Sequence, residues 1–207
     1  MTTKQVLYFH GFASSPHSEK VRSFPALLAP GVELVTPDLN VPSFERLDFE
    51  AMVALGLATG RAIAPCAIVG SSLGALVALE VVRRGLAAPL ILIAPALGVV
   101  EHWLPRLPPG DPVEVFNYAR NANAPIHRAF FEQIAAAGAD RDAPPVPVTI
   151  FMGIDDETLP FDRVEAVWQR WRPRAAPGSR FVAVPGGNHS LLSSVEDIAN
   201  EIRTRCA

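Results

Sequence analysis

The chain has 207 residues and a formal net charge of −3, from 18 Lys+Arg against 21 Asp+Glu. Hydrophobic residues make up 49% and charged residues 19%, enough apolar material for a core and too much for a disordered chain. The slight acidity without any Lys/Arg run speaks against nucleic acid or an anionic membrane as the main partner, and the longest apolar stretch, Ala87 to Val100, is broken by two prolines and too short to span a bilayer.

Six short runs rich in Val, Ile, Leu and Phe read as strands: 6–10, 33–36, 67–70, 90–94, 148–153 and 180–184. They alternate little between apolar and polar, as strands covered on both faces do. Longer helical patterns separate them, which implies an α/β fold with a mostly parallel sheet. The gap between the fourth and fifth strand starts is 58 residues, about twice the others, so residues 98–147 hold more than a crossover helix. Pro-rich segments at 105–112 and 142–147 flank a helical stretch near Ala124 to Gly138, and the expectation is a helical, lid-like insertion within one domain spanning 1–207. The start, MTTKQVLYFHGF, carries no basic-then-apolar signal segment, and a cytoplasmic location is expected. Cys66 and Cys206 make neither a disulfide framework nor a zinc pattern. Both are expected to be free, Cys66 in the core and Cys206 exposed near the terminus.

The chemistry enters after the third strand, where GSSLG (70–74) is a G-x-S-x-G pattern centred on Ser72. Such a pattern marks a tight strand-to-helix turn that lifts the serine hydroxyl out of the chain at the C-terminal edge of a sheet. A Gly/Ser turn is common enough to need support from a base and an orienting acid in the order Ser, Asp or Glu, His. After the fifth strand comes GIDDETLP (153–160), and after the sixth PGGNHS (185–190). His189 is the only histidine C-terminal to those acids, so order alone selects it as the base. Among Asp155, Asp156 and Glu157 we choose Asp156, with Asp155 capping the helix that begins near Phe161. Two backbone N–H groups are expected to form the oxyanion hole: Leu73, at the helix start, and Phe12, in the loop HGFASSPHS (10–18). Gly11, Phe12 and Trp103 are candidates for substrate contact. His10 and His17 are read as loop-fixing or rim residues, and Asp38 as a loop hydrogen-bonding group.

These blocks resemble the small bacterial hydrolases of the YqiA/YcfP type. YFHGFASSPHSEK (8–20), TPDLNVPSF (36–44), IVGSSLGA (68–75), ILIAPAL (91–97), DDETLPF (155–161) and GGNHSLL (186–192) carry the resemblance nearly end to end. It implies an α/β-hydrolase fold and esterase or thioesterase activity on acyl substrates, with the acid at Asp156. Ala75 departs from it, since relatives often have a second glycine there. The expected function is thus a serine hydrolase acting on a small-molecule acyl ester through Ser72, His189 and Asp156, with no metal or organic cofactor. Carboxylesters rank above thioesters because no basic cluster flanks the site. The alternatives are an acyltransferase, perhydrolase or lyase using the same residues, or a binding protein that keeps the fold.

Overall fold

The computed structural model describes residues 3–98 and 103–207. Six parallel strands form one sheet: β1 (Lys4–Phe9), β2 (Val32–Val35), β3 (Ala67–Ser71), β4 (Leu90–Ile93), β7 (Val148–Gly153) and β8 (Arg180–Val184), in the order β2-β1-β3-β4-β7-β8. All six runs expected from the sequence are strands. The central strands β3, β4 and β7 are buried along their whole length, which explains their lack of alternation.

Helices cover both faces. They are α1 (Glu19–Leu28), α2 (Phe49–Ile63), α3 (Leu73–Arg83), α5 (Phe161–Trp171) and α6 (Val195–Arg205). In α3 every residue from Leu73 to Val82 is buried, as its nearly all-round apolar sequence requires. It ends where Gly85 turns with φ +97°. By contrast α5 buries a single stripe, Val164, Val167, Trp168 and Trp171, at the spacing of one helix face. The Asp48 carboxylate caps α2 by accepting from the Ala51 amide at 2.7 Å.

The chain leaves β1 toward one edge of the sheet (β2) and then crosses to β3 and the other edge. The C-terminal ends of β1 and β3 therefore flank the point where winding reverses, the place where open parallel sheets bind ligands.

The insertion between β4 and β7 differs from the helical one expected. It holds an antiparallel hairpin, β5 (Val113–Asn117) and β6 (Ala122–Ile126), followed by helix α4 (Arg128–Ala137). The turn at 118–121 favours the hairpin, with Asn121 at φ 52° and the Arg120 amide donating to Asn117. Residues 99–102 of this segment lie outside the described residues. The insertion is bonded down at several points. The Ala119 amide donates to Ala13 at 3.3 Å, Arg120 pairs with Glu45, and Gln133 bridges the Phe49 amide and Asp48.

The cysteines also correct the expectation. Cys66 and Cys206 form a disulfide across 140 residues of sequence, and Cys206 is buried. Residue spacing concealed the pairing because the end of α6 returns to the start of β3 only through the fold.

Candidate active site

Ser72 sits between β3 and α3 with φ 53° and ψ −118°, a conformation that costs energy for a residue with a side chain. Three main-chain hydrogen bonds hold it there: its amide donates to Ile93, and its carbonyl accepts from Ala75 and Ala96. The turn closes only because its flanks are bare. A Cβ on Gly74 would stand 2.2 Å from the Phe9 carbonyl oxygen, and one on Gly70 would stand 2.6 Å from the Ala75 Cα. Ala75 itself is fully buried, so the departure from the second glycine is absorbed in the packing.

Asp156 and His189 meet across two loops. Asp156 Oδ2 lies 2.9 Å from His189 Nδ1, with the carboxylate side chain 0% and the imidazole 23% exposed. The other carboxylate oxygen accepts from the Thr158 and Leu159 amides at 2.9 and 2.8 Å. Burial alone would raise the Asp156 pKa. The hydrogen bonds from His189, Leu159 and Thr158, with the attraction of the ring, outweigh burial and leave the group below its ordinary value. The carboxylate accepts the Nδ1–H, which leaves the ring's other nitrogen, Nε2, without a hydrogen-bond partner among the described residues.

The two loops are also stitched through their backbones. The Asp155 amide donates to the Gly187 carbonyl at 3.0 Å, and Glu157 accepts from the His189 amide at 3.3 Å. Asp155 does not cap the following helix, which starts after Pro160 without a side-chain cap. Among the described residues Ser72 makes no hydrogen bond to His189.

The loop after β1 lies against Ser72. A Cβ on Gly11 would stand 3.3 Å from Ser72 Cβ and 3.9 Å from its Oγ, so glycine leaves the approach to the hydroxyl open. The Phe12 amide has no hydrogen-bond partner among the described residues. Leu73, first in α3, has no carbonyl one turn earlier to accept from its amide.

His10 braces this loop from behind. Burial holds its pKa below the ordinary histidine value, against the opposing influence of the Gly11 carbonyl and Asp38, so the ring is neutral. It donates from Nδ1 to the Gly11 carbonyl and accepts the Leu39 amide at Nε2. Asp38, 3.4 Å from that same nitrogen, cannot bond it in this tautomer because both atoms accept. Asp38 instead holds Asn40, whose amide group reaches the Ser14 carbonyl at 3.0 Å. The roles expected for His10 and Asp38 as loop-fixing groups match this arrangement.

The Phe12 ring packs among Phe44, Phe130 and Phe131. Trp103 is half-buried against the core and makes no ring pair with this cluster among the described residues. Grooves of about 500 and 390 Å³ lie between α4 and α5 and between β8 and α6. Neither is lined by Ser72, Asp156 or His189. Among the described residues no cluster of His, Cys, Asp and Glu could hold a metal ion.

One neighbour escaped the sequence. Lys20 Nζ lies 3.1 Å from Ser71 Oγ and 3.5 Å from the His189 carbonyl oxygen. Its only signal was its place in the SEK segment, where a lysine reads as an ordinary solvated residue of a first helical turn.

Comparison with solved structures gives matches over almost the whole chain. A candidate hydrolase from Agrobacterium vitis S4 superposes with TM-score 0.80 and 20% identity, covering 99% of this chain and 88% of that one. Est1E from Butyrivibrio proteoclasticus, with ferulic acid bound, gives 0.76 and 16%, covering 97% and 87%. A monoacylglycerol lipase of Paleococcus ferrophilus gives 0.76 and 13%, covering 98% and 96%. At such identities the likeness establishes the α/β-hydrolase fold. No curated protein matches the sequence. The family model described as uncharacterised protein family UPF0227 matches residues 5–181, in keeping with the YqiA/YcfP resemblance, and the chain belongs to that family.

Proposed function

We propose that this protein is a serine hydrolase cleaving small carboxylic esters through an acyl-enzyme, with Ser72 as nucleophile, His189 as base and Asp156 as its orienting acid. The observation that carries the reading is the 2.9 Å Asp156–His189 hydrogen bond, formed at the same sheet edge as a serine in a strained turn. The Ser72 hydroxyl attacks the substrate carbonyl carbon while its proton passes to His189 Nε2. Resting sites often hold this contact loosely, and rotation of the serine side chain completes it when substrate binds. The Phe12 and Leu73 amides, both without partners among the described residues, receive the developing oxyanion. Collapse of the tetrahedral intermediate breaks the ester C–O bond, and His189 returns the proton to the leaving alkoxide. Water then repeats the sequence on the acyl-enzyme, releasing the acid and restoring Ser72.

The partly buried Phe12 and Phe131 rings, backed by the buried Phe44 and Phe130, favour an apolar acyl group. An esterase domain from Rhodothermus marinus and a monoacylglycerol lipase are among the similarly shaped proteins, which favours ester cleavage here as well. Thioesters rank below carboxylesters. The mechanism calls on no cofactor.

Residues 98–147 read as an elaboration of a single domain, 1–207. Among the described residues no helix is long and apolar enough to cross a membrane. A cytoplasmic location stands against the Cys66–Cys206 disulfide, a bond that persists in oxidising compartments. Thiol trapping in intact cells separates the two.

p-Nitrophenyl esters of increasing acyl length test the activity. Ser72→Ala is expected to lower turnover by about 10⁴- to 10⁶-fold. Undiminished turnover in that variant contradicts the proposal.

A further inference from the structure

Lys20 is a desolvated cation at the candidate site that the mechanism above leaves unused. It lies in the first turn of α1, just after the loop bearing Gly11 and Phe12. Its ammonium reaches Ser71 Oγ at 3.1 Å and the His189 carbonyl oxygen at 3.5 Å. Ser71 immediately precedes Ser72 in the chain and is itself buried. One side chain thus joins the turn that presents Ser72 to the loop that presents His189. Those segments are far apart in the chain, and their relative position decides whether a proton can pass between them.

The arrangement is poor value as a source of stability. Burial pulls the Lys20 pKa down to about 8, against an opposing attraction from Asp156. Among the described residues no carboxylate stands within ion-pair distance of the ammonium. An apolar side chain of similar length would fold at least as well there. What the ammonium supplies is a pair of directed N–H donors with a fixed origin on α1.

We propose that Lys20 is a positioning residue, whose ammonium ties the His189 main chain to Ser71 and so sets the distance between the imidazole and the Ser72 hydroxyl. This rests on the serine-hydrolase reading and deepens it. Errors of about 1 Å at a reacting centre cost up to about 100-fold in rate. A positioning role therefore shows in kcat, whereas a contact with an anionic substrate group shows in KM.

The test compares full-length wild type, Lys20→Met and Lys20→Arg in p-nitrophenyl butyrate hydrolysis, fluorophosphonate labelling and thermal unfolding. Lys20→Met is expected to lower kcat about 10- to 100-fold and to slow labelling in step. Its KM stays within about twofold of wild type, and its Tm is equal to or above wild type. Lys20→Arg, which keeps the donors, recovers part of the lost kcat. Wild-type kcat in Lys20→Met overturns the proposal, as does a change confined to KM, or a fall in kcat accompanied by a lower Tm. Failure of the underlying reading is distinguishable, because Ser72→Ala would then still hydrolyse the ester whatever the Lys20 variants do.

Discussion

The ring of Phe12 stacks on that of Phe130, with centroids 6.1 Å apart and planes 15° from parallel. The loop offering a candidate oxyanion donor is thereby braced by helix α4 of the insertion. Phe131 tilts against the same ring, and Phe44, covered by the Arg120 guanidinium at 5.8 Å, closes the far side. The insertion therefore supports the loop after β1.

Phe130→Leu is expected to loosen that support. A volume-reducing swap at this buried position should cost about 1–2 kcal/mol in urea unfolding, and kcat/KM should fall about 10-fold as the Phe12 amide loses its fixed position. Tyr118→Ala provides the contrast, because that ring is 74% exposed, and both quantities should match wild type.

Asp156→Asn removes the acceptor that fixes the His189 tautomer. The expected loss is about 10⁴-fold in kcat with the fold retained. Asp155→Asn should stay close to wild type, since its amide, and not its carboxylate, ties the acid loop to Gly187. Steady-state kinetics of the two variants side by side decide between the adjacent acids.

Much of this was legible in the sequence for identifiable reasons. Strands such as Ala67–Ser71 and Val148–Gly153 are short, uniformly apolar runs bounded by helical patterns, and local composition determines them. The candidates stand out for different reasons: Ser72 by its G-x-S-x-G turn, His189 by chain order, and Asp156 as a choice among three adjacent acids; each follows a strand, and the parallel sheet brings strand ends to one edge. The β5–β6 hairpin was missed because Ala122–Ile126 contains alanine, asparagine and proline in place of β-branched residues, and pairing alone makes it a strand. Lys20 and the disulfide were hidden for a shared reason. Each depends on a contact between distant segments, 20 with 71 and 189 and 66 with 206, that no local pattern encodes.

The disulfide closes a loop of 140 residues, so its loss frees a large denatured-state ensemble. Removal of such a cross-link typically costs about 2–5 kcal/mol. The Cys66→Ser/Cys206→Ser variant should therefore unfold at lower urea with wild-type ester turnover, because the bond lies at the opposite end of β3 from Ser72. Chemical reduction of the wild type should shift its unfolding midpoint to the same position.

Lys20 also predicts a pH dependence of stability. Its folded pKa of about 8 lies below the unfolded lysine value of about 10.4, so between these pH values the unfolded chain binds the extra proton. The penalty from this group is complete below the folded pKa, shrinks as pH rises through the window, and is gone above it. Lys20→Met should accordingly exceed wild type in stability at neutral pH, with the gap closing toward about pH 10. Urea midpoints across that range check the sign, and a gap that widens with pH contradicts it.

The most direct measurement is intact mass after fluorophosphonate treatment of wild type and Ser72→Ala. One adduct on the wild type and none on the variant is the predicted result, since the proposal assigns a single nucleophile, Ser72, to the turn between β3 and α3. An adduct that persists on Ser72→Ala, or folded wild type that hydrolyses esters yet remains unlabelled, would contradict the assignment of Ser72 as nucleophile.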